Sequence, residues 1–208
     1  MFNTTVNAKF LEKLTTENAA LLIVDHQIGL YTGVKDIKVS ELKHNIVALV
    51  RAAKVLDIPI IATTTAAEGL WGPTIPELEA ELNGIEIIDR TTVNALDDER
   101  VMKAVEKVGR KKLLITGIST EVCLAFPALT ATSKGYDVYA IINASGTASE
   151  TQRTTGILRM LQAGIIVTDY SAVCVEMLAD NADPRALAMY KALDADFVTL
   201  VGQLTGKF

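Results

Sequence analysis

The chain has 208 residues, a length that suits one domain whose core needs no disulfide or metal to be stable. Half of its residues are hydrophobic and its formal net charge is −5, which is typical of a globular protein and provides no basic surface for nucleic acid or anionic lipid. The apolar runs are too short to span a bilayer, and the polar, charged N-terminal segment shows no signal peptide. Two cysteines, Cys123 and Cys174, do not make a disulfide framework, so we expect a reducing, cytoplasmic location.

Short apolar segments alternate with longer amphipathic ones along the chain. Strands are predicted at 20–24, 58–63, 85–88, 112–116, 137–142 and 165–168. Helices are predicted at 40–56, 76–82, 97–108, 122–134 and 150–163. This alternation predicts an α/β fold with a six-stranded, mostly parallel, Rossmann-like sheet, for which we take the strand order 3-2-1-4-5-6. Residues 1–208 are predicted to form a single domain, in which helices from about 171 to 208 complete the core or form an oligomer interface.

Three reactive or charged residues follow predicted strands, where open parallel sheets bind their ligands. Asp25 follows the first strand, Arg90 follows the third, and Cys123 opens the helix after the fourth. Each has an ordinary alternative role: a turn cap for Asp25, a surface ion pair for Arg90 and a small buried apolar residue for Cys123. In the assumed strand order, Asp25 and Cys123 flank one crevice and Arg90 reaches it from an outer strand. Together they would supply a nucleophile, an acid/base carboxylate and a fixed positive charge.

The position of Cys123 predicts an activated thiol. Unpaired backbone N–H groups and the positive end of the helix dipole both favour the thiolate and lower the thiol pKa. The same N–H groups can hold a developing oxyanion. Cys174, inside the apolar run 172–175, is predicted to be a buried and inert thiol.

Several segments resemble the isochorismatase-like cysteine hydrolases, and in particular their YcaC-like branch. They are LLIVDHQ at 21–27, GISTEVC at 117–123, FPAL at 126–129 and NASGT at 143–147. The resemblance extends over about residues 19–180. It implies a three-layer α/β/α sandwich and a hydrolase. We expect no cofactor and no metal, because two histidines without clustered carboxylates give no familiar ligand spacing.

The resemblance also implies roles for individual residues. Asp25 and Cys123 match the family's catalytic Asp and Cys, whereas Arg90 stands where the wider family has Lys. Arginine stays charged, so Arg90 could stabilise Asp25 and the thiolate but could not transfer a proton. The family's non-proline cis peptide bond would fall at Val122–Cys123, and the N–H groups of these two residues would form the oxyanion hole.

The same comparison predicts the reaction and the binding partners. The cysteine favours hydrolysis of a C–N amide bond in a small carbonyl compound, through a thioester intermediate. Gln27, Trp71 and Phe126 are expected to line the substrate pocket. Partners would be a small-molecule substrate and further copies of the chain, with an octamer implied by the YcaC-like branch, but neither nucleic acid nor membrane.

Other functions remain open at the level of sequence. A Cys–His pair would need His26 or His44, yet His26 should point away from Asp25 on an extended strand end, and His44 is expected on a solvated helix face. The zinc motif of some nicotinamidases, one Asp with two His, is absent. The chain lacks the G-x-G-x-x-G and Walker A motifs that are typical of nucleotide-binding modules, which disfavours that function. A small-molecule-binding module or a catalytically degenerate family member is the main alternative.

Overall fold

The computed structural model describes residues 11–207. The predicted single domain and the predicted lack of a signal peptide also involve residues 1–10 and 208, which lie outside the described residues. Six strands form one sheet: β1 (Ala19–Val24), β2 (Ile60–Thr65), β3 (Ile87–Arg90), β4 (Lys112–Gly117), β5 (Asp137–Ile141) and β6 (Ile166–Thr168). All neighbouring strands are parallel and their order is β3-β2-β1-β4-β5-β6, so the predicted α/β fold and strand order are confirmed.

Helices cover both faces of the sheet. They are α1 (Ile28–Tyr31), α2 (Val39–Val55), α3 (Pro76–Glu81), α4 (Glu99–Val108), α5 (Ala125–Ser133), α6 (Glu150–Gln162), α7 (Tyr170–Leu178), α8 (Ala186–Leu193) and α9 (Asp196–Leu204). Side chains alternate across β1: Leu21 and Ile23 pack on the face covered by α2, α3, α7 and α8, and Leu22 and Val24 on the face covered by α4, α5 and α6. The fold is therefore a three-layer α/β/α sandwich with an apolar core on each side of the sheet.

Strand register places the predicted site residues at one edge. Val24, the last residue of β1, pairs with Thr63 on one side and with Gly117 on the other. Arg90, the last residue of β3, pairs with Thr65. The carboxyl ends of β1 and β4 thus lie side by side at the point where strand order reverses, and β3 ends two strands away.

Most predicted boundaries lie within two residues of the observed ones, but two differences affect the site. β3 ends two residues later than predicted, so Arg90 belongs to the strand and not to the loop after it. The helix predicted at 122–134 is preceded by one π-helical turn, Thr120–Leu124, and α5 begins only at Ala125. Cys123 therefore lies in the π-helical turn and not at the N-terminus of an α-helix.

The C-terminal helices were predicted either to complete the core or to form an oligomer interface, and α8 and α9 differ in this respect. Met189 and Leu193 of α8 are buried in the core, whereas Phe197 and Leu200 of α9 are 72% and 56% exposed. In residues 11–207, no helix combines the length and apolar character needed to cross a membrane.

Candidate active site

Asp25 is the first residue after β1 and is fully buried. Its backbone has a φ of 57°, which is uncommon for a residue other than glycine. The Asp25 N–H donates to the Thr63 carbonyl at 2.9 Å, and the Gln27 N–H donates to the Asp25 carbonyl at 2.8 Å. These bonds hold the turn that directs the carboxylate across the end of the sheet.

Arg90 pairs with that carboxylate, as the sequence predicts. The Arg90 Nη2 lies 2.6 Å from the Asp25 Oδ2, and both side chains are 0% exposed. The Arg90 Nη1 donates to the carbonyls of Thr92 and Val93. The guanidinium is thus anchored by the loop after β3 and is shielded from water on the side of Asp25.

Cys123 lies against the end of β4, next to Asp25. A Cβ atom at Gly117 would be 2.7 Å from the Cys123 carbonyl carbon, so glycine is needed for this close approach. The Cys123 thiol lies close enough to the Asp25 carboxylate for each group to affect the pKa of the other. Within residues 11–207, however, Asp25 Oδ1 is buried without a well-aligned hydrogen-bond partner. The contact between thiol and carboxylate is therefore loose, and Cys123 keeps 8% exposure.

Burial dominates the electrostatics of the pair. Burial raises the pKa of Asp25, and the Arg90 charge and the Cys123 thiol oppose that shift. Burial and then the Asp25 negative charge raise the pKa of the Cys123 thiol, although the Ser119 N–H and Arg90 act in the opposite direction. The lowered thiol pKa predicted from sequence is wrong, because a buried sulfur beside a carboxylate is stabilised as the neutral thiol.

The predicted cis peptide bond is present nearby but in another position. It joins Ile118 and Ser119, not Val122 and Cys123, so that part of the expectation is wrong. The Val122 N–H donates to the Ser119 carbonyl at 3.2 Å, and the Leu124 N–H donates to the same carbonyl at 3.1 Å. The Val122 N–H, one of the two predicted oxyanion-hole donors, is therefore engaged within the turn.

The three predicted pocket residues have different environments. Gln27 is fully buried, and its amide binds the backbone of Thr65 and Gly72, so it anchors the loop that carries Trp71. Trp71 is 37% exposed and lines a cavity whose wall also contains Ile118 and Ser119. Phe126 packs against the core on the α4–α6 side, with the Arg159 guanidinium 5.4 Å from its ring centre.

The ring of His26 contacts Tyr31 and Thr116, but the extended strand end assumed in the prediction is not observed, because Asp25 has a φ of 57°. Its Nδ1 lies 2.8 Å from the Tyr31 hydroxyl and its Nε2 lies 3.1 Å from the Thr116 hydroxyl. Burial lowers the pKa of His26 to about 3, so the imidazole is neutral. No Cys–His pair is formed by His26. In the described part of the chain, no group of three or more His, Cys, Asp or Glu residues is arranged to hold a metal ion.

A cavity of about 260 Å³ lies along the segment between the end of β4 and the turn that holds Cys123, but Asp25, Arg90 and Cys123 do not line it. Its walls come from the start of α1 and the loop after it, from Trp71, from the cis-linked Ile118 and Ser119, and from Glu121, Thr147 and Gln152. Glu121 and Thr147 lie in the segments GISTEVC and NASGT, but no role in a pocket was predicted for either residue. No sequence pattern marks Gln152 as a residue of the cavity, because it contacts Glu121 across 31 positions of the chain. A larger depression, about 620 Å³, lies between α3 and β3 and contains none of the three site residues.

The chain is similar to several known proteins in both sequence and fold. Residues 19–172 match the family model of the isochorismatase domain. The probable hydrolase YcaC of Escherichia coli is 41% identical over 169 residues, which cover 81% of each chain. The structure of YcaC from Pseudomonas aeruginosa with hexane-2,5-diol and covalent acrylamide has a TM-score of 0.88 and 35% identity, over 94% of this chain and 98% of that one. The E. coli YcaC structure, described as an octameric hydrolase of unknown specificity, has the same TM-score and coverage with 37% identity.

Proposed function

This chain belongs to the isochorismatase family of hydrolases, and from that premise we propose that it cleaves a C–N amide bond in a small carbonyl compound, with Cys123 as nucleophile. The observation that carries the proposal is the buried Asp25 carboxylate, which faces the Cys123 thiol on one side and the Arg90 guanidinium on the other. A nucleophile, a proton acceptor and a fixed positive charge are the parts that acyl transfer to sulfur requires.

The proposed reaction begins with a neutral thiol. Asp25 accepts the Cys123 proton as the sulfur attacks the substrate carbonyl carbon, and the raised pKa of Asp25 makes it a stronger base than an exposed carboxylate. The C–S bond forms while the carbonyl oxygen takes the negative charge. Asp25 then returns the proton to the leaving nitrogen, the C–N bond breaks, and a thioester on Cys123 remains. Water then attacks the thioester carbonyl carbon while Asp25 takes one of its protons. The C–S bond breaks, the carboxylic acid leaves, and Asp25 returns the proton to the Cys123 sulfur.

Arg90 supports these steps without exchanging protons. Because its guanidinium stays charged, it limits the rise in the Asp25 pKa that burial would otherwise produce. The N–H groups of Val122 and Cys123 remain our candidates for the oxyanion hole. The Val122 N–H would have to share its bond to the Ser119 carbonyl with the substrate oxygen.

A relative supports a reactive nucleophile in this fold. The P. aeruginosa YcaC structure contains covalent acrylamide. Acrylamide is both a small amide and an electrophile that thiolates attack, so it has the size and chemistry that the proposed site would accept.

The proposal can be tested by a turnover screen. Small aliphatic amides would be incubated with the wild-type protein and with Cys123→Ala, Asp25→Asn and, as a matched control, Cys174→Ala. We expect product acid in the wild type and the control, and none above background in the two site variants. Hydrolysis that persists in Cys123→Ala would refute the cysteine mechanism. A folded wild type that hydrolyses no amide would favour the alternative, a degenerate or binding-only family member.

We further propose that the whole chain is one domain that assembles as a homo-oligomer in a reducing, cytoplasmic environment. The E. coli relative is octameric, and α9 exposes Phe197, Leu200, Val201 and Leu204 along one face. Both cysteines are free thiols, and a nucleophilic thiol must stay reduced to act. Light scattering coupled to size-exclusion chromatography would test the assembly, which Phe197→Glu with Leu204→Glu should weaken.

A further inference from the structure

We propose that the 260 Å³ cavity receives the substrate and that Glu121 makes it selective for neutral or cationic molecules over anionic ones. This inference rests on the proposed function, because it names the substrate class of the same site. Ser119 lines the cavity, and its carbonyl accepts hydrogen bonds from the N–H groups of Val122 and Leu124, the residues on either side of Cys123. The cavity wall is therefore bonded directly to the turn that holds the nucleophile, although Cys123 itself does not line the cavity.

Glu121 is held rigidly in the cavity wall. Its Oε2 accepts a hydrogen bond from the Thr147 hydroxyl at 2.7 Å, and its Oε1 accepts one from the Gln152 amide at 3.0 Å. α6 packs directly on its backbone, since a Cβ atom at Gly156 would be 2.8 Å from the Glu121 Cα. Each carboxylate oxygen retains a lone pair that a ligand could use.

No positive side chain in the described cavity wall offsets this negative charge. The lining residues include no lysine or arginine. Arg153, on the same helix as Gln152, is paired with Asp36 at 2.8 Å and donates to the Ile142 carbonyl. Arg90 is buried against Asp25. A substrate carboxylate would thus meet Glu121 with no cation to bind it, whereas an ammonium group or a neutral polar group would meet an acceptor.

The rest of the wall suits a small, largely apolar molecule. Leu30, Val34, Ile118 and Ala148 contribute apolar surface, and Trp71 provides an aromatic ring at the rim. An aromatic ring attracts cations over its face and packs well with neutral groups. The preferred substrates would be small amides that carry an alkyl or amino group and no carboxylate.

Trp71 makes the charge of the cavity measurable, because it is the single tryptophan of the chain. Its fluorescence would be quenched by caesium and by iodide at constant ionic strength, with N-acetyltryptophanamide as the uncharged reference. The test compares wild type, Glu121→Gln, and Glu150→Gln, which removes the same charge at an exposed position of α6. Thr32→Lys adds a cation at an exposed position of the wall and serves if Glu121→Gln does not fold.

We expect the caesium-to-iodide quenching ratio of the wild type to exceed that of the reference. It should fall about twofold or more in Glu121→Gln and in Thr32→Lys, and should not change in Glu150→Gln. A wild-type ratio equal to the reference, or no change in the folded variants, would overturn the inference. This readout does not depend on Cys123. If Glu121→Gln lowers the quenching ratio as expected but the protein hydrolyses no amide, the proposed function is refuted and the inference about Glu121 is not.

Discussion

The Arg90 guanidinium lies 2.6 Å from the Asp25 carboxylate, and neither side chain has any exposed surface. Removing one partner leaves a buried, unpaired charge, which is more damaging than loss of the pair as a whole. We predict that Arg90→Met lowers the free energy of unfolding by about 3–5 kcal/mol, as measured by urea denaturation. Asp25→Asn combined with Arg90→Met should recover part of that loss. Lys103→Met, which breaks an exposed pair with Glu99, should change nothing measurable, and an equally small effect of Arg90→Met would contradict our interpretation.

The pKa of the Cys123 thiol predicts a separation between reactivity and turnover in Asp25→Asn. The Asp25 negative charge raises the thiol pKa, so its removal should lower that pKa and speed alkylation by iodoacetamide near neutral pH. Amide hydrolysis should be lost all the same, because the proton acceptor is gone. Mass mapping of alkylated peptides over a pH series would measure both cysteines. Cys174, whose pKa burial raises to about 12, is the internal control and should stay unreactive in both proteins.

Gly117 should tolerate no side chain. A methyl group there would lie 2.7 Å from the Cys123 carbonyl carbon, and backbone atoms cannot move aside as a flexible side chain can. We predict that Gly117→Ala costs about 1–3 kcal/mol of stability and displaces Cys123 enough to slow hydrolysis more than tenfold. Gly33→Ala is the matched control for stability, since its added methyl group would meet one atom at 3.5 Å. Thermal unfolding that is the same for both variants would be inconsistent with the close approach.

His26 should make the protein sensitive to acid. Burial lowers its pKa in the folded state to about 3, against about 6.5 in an unfolded chain. The unfolded state therefore binds more protons between these values, and the stability contributed by neutral His26 is lost as pH falls from about 6.5 towards 3. His26→Gln should flatten the fall in urea midpoint between pH 7 and pH 4.5 relative to the wild type. If the urea midpoint of His26→Gln falls with pH as steeply as that of the wild type, groups other than His26 cause the loss of stability in acid.

The sheet could be predicted from sequence because parallel strands buried on both faces are continuous apolar runs, such as Ala19–Val24. The same pattern placed Asp25 and Cys123 together, since their strands are adjacent where strand order reverses. The position of Arg90 relative to Asp25 followed from the resemblance and from chemistry, as no local pattern links residues 65 positions apart.

Features that depend on tertiary contacts could not be predicted. The sequence gives no sign that Gln27 turns its amide to the backbone of Thr65 and Gly72 instead of to a ligand. The direction of the Cys123 pKa shift was predicted wrongly because the sequence pattern placed Cys123 at the start of an α-helix and did not reveal its burial, whereas Cys123 lies in a buried π-helical turn beside Asp25. The cavity wall joins Glu121 to Thr147 and Gln152 across 26 and 31 positions, so it exists only in the folded chain.

The central claim is that Cys123 carries the acyl group during the reaction. It is tested most directly by mixing the protein with p-nitrophenyl acetate, a small neutral acyl donor, quenching in acid and mapping the acetylated peptide by mass spectrometry. We predict a burst of about one p-nitrophenolate per chain and one acetyl group on Cys123, both absent in Cys123→Ala and preserved in Cys174→Ala. Acetylation at any other residue, or a burst that survives in Cys123→Ala, would contradict the cysteine mechanism.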